Sequence, residues 1–165
     1  MDQFSHLDDN EFLRIAFKGD EDAISFIGLI HEIVHTWDDL IDEDFVVPDR
    51  VNSAFFSALV GIPGNRFFAE HRAVLIPIIA AGCMNYEIAN SFEDTGCESD
   101  IDIAYTIRYS IADVAVHVAL IIGGREWVSI VGPEIRRRSQ RDSIVSYRKE
   151  IEAKNEKKAK ERTEV

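Results

Sequence analysis

Two cysteines in 165 residues, Cys83 in an apolar run and Cys97 in a polar turn, are too few for a disulfide framework and lack metal-ligand spacing. They suit a reducing compartment. No uninterrupted apolar run approaches the ~18 residues of a membrane span, and the N-terminus MDQFSHLDDNEF has neither the basic nor the apolar region of a secretion signal. The expectation is a cytoplasmic protein with no membrane contact. Positive charge is also scarce: 18 Lys and Arg face 30 Asp and Glu, a net charge of −12. A surface of that sign does not attract nucleic-acid phosphates, so general nucleic-acid binding is excluded. Prolines number four, and no alternating strand pattern of useful length occurs.

What remains is apolar and helical. Apolar residues make up 46% of the chain, enough for one core at this length. The pattern predicts an all-α fold, a compact irregular bundle of six to eight helices ending in a long charged C-terminal helix. Residues 1–152 form one domain in this reading, and 153–165 a charged extension. Asp20 suits the cap of a long helix reaching about Asp42, and Lys18-Gly19 ends the helix before it. Pro48 suits a helical first turn and Asn65 the next cap. Pro77 is expected to break the following helix. Asp100 or Asp102 would cap an apolar helix ended by Gly123-Gly124, and Pro133 would open the last one. Phe55, Phe56, Phe67, Phe68 and Trp37 are assigned to the core, with a self-association surface, hence a homo-oligomer, as the other use of such aromatics.

Charge is polarised along the chain. Residues 1–50 hold 14 acids and three bases, whereas 134–165 hold seven acids and 11 bases. The densest reactive group is HEIVHTWDDLIDED, residues 31–44. At about 100° per residue, His31, His35, Asp38 and Asp42 lie within a strip roughly 60° wide, with Asp39 beside it. Such spacing suits a helix-borne metal site: Asp38, Asp39 and Asp42 with His31 and His35 as ligands and Glu87 from another helix. Oxygen-rich ligands favour Mg²⁺ or Mn²⁺ over Zn²⁺. The same strip, opposite Leu29, Ile30, Ile33, Val34 and Trp37, is equally the solvated face of an amphipathic helix. Asp113 and His117 stand four apart in an apolar helix and Asn90 follows Glu87 by three, so Asp113 and Asn90 are candidates to support a metal site. His35 or His117 is the candidate general base.

Three resemblances follow from these residues. His31-Glu32-Ile33-Val34-His35 matches the H-E-x-x-H pattern of zinc peptidases, without a further ligand at the metzincin spacing. Asp38-Asp39-Leu40-Ile41-Asp42 resembles the aspartate-rich motif of isoprenoid synthases, which implies Asp38, Asp39 and Asp42 as Mg²⁺ ligands for a diphosphate. WDDLIDED, VNSAFFSALVGIPGNRFFAEH, IIGG and PEIRR together are similar to a family of small tailed-bacteriophage proteins, which implies a bacterial cytoplasm or a virion and no particular activity. Two functions stand side by side. One is a Mg²⁺- or Mn²⁺-dependent hydrolase or transferase acting on a small phosphorylated molecule, with Arg66, Arg72 or Arg108 holding phosphate. The other is a non-catalytic phage protein that binds a protein partner through its acidic face.

Overall fold

The computed structural model describes residues 3–42, 45–140 and 142–163, with backbone alone for 158–159 and 161–163. It is all-α, with no strand among the described residues. The elements run α1 (Asp9–Ala16), α2 (Glu21–Ile41), α3 (Pro48–Phe56), a π turn (Ser57–Gly61), α4 (Ile62–Gly64), α5 (Arg66–Glu93), α6 (Glu98–Arg108), a 3₁₀ turn (Tyr109–Ala112), α7 (Asp113–Ser139) and α8 (Ile144–Thr163). Two compact units result: Met1–Leu75 with Ala115–Val131, and Ile76–Val114 with Gly132–Val165.

Local chemistry explains most boundaries. Asp8 and Glu11 close a reciprocal capping box at α1. Lys18 and Gly19 take the left-handed conformation, φ 51° and 75°, and the Gly19 N–H donates to the Arg14 carbonyl at 2.8 Å. Asp20 accepts from the Ala23 N–H and so caps α2. Pro48 occupies the first turn of α3. Asn65 accepts from the Phe68 N–H at 2.9 Å, while its amide donates to the Asp22 carbonyl at 2.8 Å. One side chain thus starts α5 and ties it to α2.

Three expectations need correction. Pro77 does not break α5, which runs from Arg66 to Glu93. Pro77 and Ala73 are both exposed, so the carbonyl that the proline leaves without a donor meets water. Cys97, not Asp100 or Asp102, is the cap residue of α6; Asp100 accepts from the Thr95 hydroxyl at 2.9 Å and steadies that turn from inside the helix. Gly124, at φ 76° and ψ −179°, is non-helical, so the end expected at Gly123-Gly124 is present as a kink that divides α7 into two helical stretches. Pro133 lies inside α7, so the last helix opens at Ile144 instead.

In the first unit Phe12, Ala16, Phe17, Ala23, Phe26 and Val118 are fully buried or nearly so. Phe26 stacks on Phe68 at 5.6 Å and lies 6.4 Å from Phe67. The Trp127 indole donates to the Ala16 carbonyl at 2.8 Å, and Lys18 lies over its ring. Phe67 is core as expected, whereas Phe55 and Phe56 are not: both stand mostly exposed.

In the second unit Ala89, Ile101, Ala104, Tyr147 and Ile151 form the core. Beside it lies a buried carboxylate, Glu93. Arg108 donates to it at 2.6 Å and to Asn90 Oδ1 at 3.2 Å, and Tyr147 donates to the same Glu93 oxygen. Asn155 donates to the Glu93 carbonyl at 2.8 Å. Arg108 also covers the Tyr86 ring.

Two segments, Arg66–Glu93 and one within Glu98–Lys157, are long and apolar enough to cross a membrane by length and composition, and 17% and 22% of their most apolar windows are buried. The first carries Arg66, Glu70, Arg72, Glu87 and Glu93 along its length.

Removing one partner from a buried charge costs more than removing a neutral donor. Arg108→Ala is expected to destabilise the full chain by about 3–5 kcal/mol, and Tyr147→Phe by about 1–2 kcal/mol, in urea denaturation followed by circular dichroism. Equal losses would show that Arg108 does not carry the Glu93 charge.

Candidate functional site

Helix α2 carries the histidine and aspartate strip because its burial falls on Ala23, Phe26, Ile30 and Thr36, leaving the opposite side outward. His31 and His35 are exposed, with ring centroids 4.1 Å apart. Asp38, Asp39 and Asp42 are partly exposed. Asp39 is held by Arg50 of α3 in an ion pair. Among the described residues no group of three or more His, Cys, Asp or Glu side chains converges closely enough to hold a metal ion. Glu43 and Asp44 of the same acidic run lie outside the described residues.

Two other candidates, Asn90 and Asp113, belong to structural pairs. Asn90 accepts from Arg108. Asp113 pairs with Arg136, whose guanidinium also donates to the Tyr109 carbonyl at 3.1 Å. Glu87 is exposed and His117 half-buried. Arg108 is engaged by Glu93, and Arg66 reaches Asp22 at 3.1 Å; Arg72 is exposed.

Sequence reasoning missed Glu32. It lies beside the strip, and its carboxylate accepts from the Ser53 and Ser57 hydroxyls, the latter at 2.8 Å. The Ser53 bond, then the Ser57 bond, hold its pKa below the ordinary glutamate value against the opposing effect of burial, with Arg50 adding to them. Glu32 is the glutamate of the H-E-x-x-H match, and here it clamps α2 to α3. One signal is legible: serines spaced four apart, 53 and 57, lie on one helix side. Their distant partner was not.

This clamp determines what the segment 48–61 shows to solvent. Ser57 and Ala54 are buried, and an added Cβ at Gly61 would stand 3.0 Å from Leu29 Cδ2. Small residues therefore occupy the packed side. The large ones, at i, i+1, i+4 and i+5, face outward: Phe55 is 62% exposed, Phe56 64% and Leu59 72%, with Val60 next to them and Phe45, just before α3, at 88%. Asp49 and Asn52 share this outward side. An exposed apolar face thus lies beside an acidic helix in the first unit.

In the second unit a concavity of about 570 Å³ lies among Gly96, Glu98, Arg148, Glu152 and Glu156. Arg148 is engaged by both oxygens of Asp102 and by Glu98, and this pairing holds the Asp102 pKa below its ordinary range. Exposed Cys97 lies next to Gly96; a bond from Ser99 lowers its thiol pKa, assisted by backbone N–H groups of Asp100 and Ser99.

The chain matches no family model, no curated protein and no solved structure.

Two outcomes follow from this geometry. Ser53→Ala/Ser57→Ala is expected to lose about 1–2 kcal/mol at neutral pH. A lowered carboxylate pKa adds stability above its unfolded value, and that contribution is lost as pH falls through the folded value. The difference between parent and variant should therefore close below about pH 4 in urea titrations; a gap independent of pH would assign it to packing instead. With Asp39 already paired, Mg²⁺, Mn²⁺ and Zn²⁺ are expected to leave the melting midpoint of chelator-treated protein unchanged. A rise present in the parent and abolished by Asp38→Asn/Asp42→Asn would establish a metal site on the strip.

Proposed function

We propose that this chain is a non-catalytic binding protein that engages another protein through the outward side of α3 and the π turn. The observation that carries this reading is the exposure of Phe55, Phe56 and Leu59 as one run of large apolar side chains. Aromatic and large aliphatic residues in such a cluster are what the anchor region of an interface contains. The fold supports the surface: Glu32, Ser53, Ser57 and the Asp39–Arg50 pair fix α3 on α2. The face is thus rigidly presented, which lowers the ordering cost of binding.

Hydrolase or transferase chemistry on a phosphorylated substrate has the Asp38, Asp39 and Asp42 spacing in its favour and no converging ligand set among the described residues. The binding reading accommodates either of the settings implied by the phage resemblance, a host-directed factor or a virion component.

A photo-crosslinking residue at position 52, in place of Asn52, tests it in expressing bacterial cells. A discrete adduct with one other protein is expected, lost in Phe55→Ser/Leu59→Ser while that variant melts within about 3 °C of the parent, as exposed sites allow. No adduct, or one indifferent to the two serines, overturns the reading.

A further inference from the structure

We infer that the occupant of the Phe55, Phe56 and Leu59 face is a cationic amphipathic helix from a different protein, an inference that rests on the binding reading above. Charge gives the sign of the partner. Residues 1–50 hold 14 acids and three bases; of those bases Arg50 is held by Asp39 and Arg14 by Glu21. Asp49 stands on the exposed side itself, and Asp38 and Asp42 lie on the helix to which α3 is clamped. The field over the apolar face is therefore negative, and it favours a partner that brings Lys and Arg to its edge.

The same charge argues against a second copy meeting this face with its own. Two such faces would bring Asp49 and the acidic end of α2 toward their equivalents, a like-charge arrangement that opposes association. The chain's basic segment does not supply the missing half either. In α8, Tyr147 and Ile151 are buried in the core of the second unit, and the sequence from Glu152 to Thr163 contains no large apolar residue. A second copy's tail would offer charge without an apolar ridge. The occupant must carry both.

Helical form follows from the shape offered. Phe55 with Leu59 and Phe56 with Val60 make ridges at i, i+4 spacing, which interlock with the ridges of another helix. Among the described residues no strand edge exists to accept an extended peptide by backbone pairing.

The test uses the full chain and a labelled peptide of about 18 residues with Leu at i, i+3, i+4 and i+7 and Lys elsewhere, read by fluorescence anisotropy. Comparison probes are the same composition in scrambled order, a Leu/Glu helix of the same pattern, and phosphatidylcholine vesicles. The ordered Leu/Lys helix is expected to bind one to one, at least about tenfold more tightly than the scrambled peptide. Phe55→Ser/Leu59→Ser should weaken it by about tenfold, and Asp38→Asn/Asp42→Asn/Asp49→Asn by a smaller factor that vanishes at high salt. It should also suppress the adduct at position 52.

Equal binding of the Leu/Glu helix, or of the scrambled peptide, overturns the inference. So does an adduct at position 52 that depends on Phe55 and Leu59 while the Leu/Lys helix fails to bind; the binding reading then stands alone. Absence of that adduct fails the reading itself. Binding to vesicles in preference to the peptide makes the face a lipid contact and overturns both.

Discussion

The second unit depends on a charge that has no business in a core unless it is answered. Glu93 is buried at the end of α5, and its carboxylate and carbonyl are met by Arg108 of α6 and by Tyr147 and Asn155 of α8. An unpaired buried carboxylate costs several kcal/mol, so the three helices hold one another in place through it. Apolar contacts among Ala89, Ile101, Ala104 and Ile151 supply burial but little directional preference. The polar cluster supplies the direction, since only one rotation of α8 brings both Tyr147 and Asn155 to Glu93.

The first unit solves a related problem differently. Glu32 is satisfied by two serine hydroxyls one helical turn apart, and that pairing, with Gly61 against Leu29, demands small side chains on the packed side of 48–61. The demand has a corollary: every large apolar side chain of the segment except Val51, which is partly buried, is turned outward. The apolar face is thus a by-product of how α3 is seated, and its acidic setting follows from the composition of the first 50 residues.

These two clusters also mark where sequence reading succeeds and fails. Caps were legible because their chemistry is local. Asp20, Asn65, Pro48 and Lys18-Gly19 each act within a few residues of themselves. The angular strip of His31, His35, Asp38 and Asp42 was legible for the same reason, since helical geometry alone places it. Whether that strip faces a cleft or water depends on residues far along the chain, and there the local rule has no grip. Glu32 was hidden because its partners lie 21 and 25 residues away. Phe55 and Phe56 were misplaced because aromatic residues usually mark the buried side of a helix, and here a serine and glycine ladder takes that side. Pro77 was misjudged because its penalty depends on whether water reaches the freed carbonyl.

The partners of Glu93 are spread from residue 108 to residue 155, and that spread governs the order of events during synthesis. Domains generally fold as units as they emerge from the ribosome, yet α5 and α6 leave it with the Glu93 carboxylate answered by Arg108 alone and an uncovered apolar side. They stay in that condition until Asn155 is clear of the exit tunnel. The first unit is interrupted in the same way, because Val118 and Trp127, which complete its core, are made some 50 residues after α4. A nascent chain of this protein therefore has both units incomplete until Trp127 is made, and premature termination anywhere before residue 155 yields a fragment that exposes its adhesive parts.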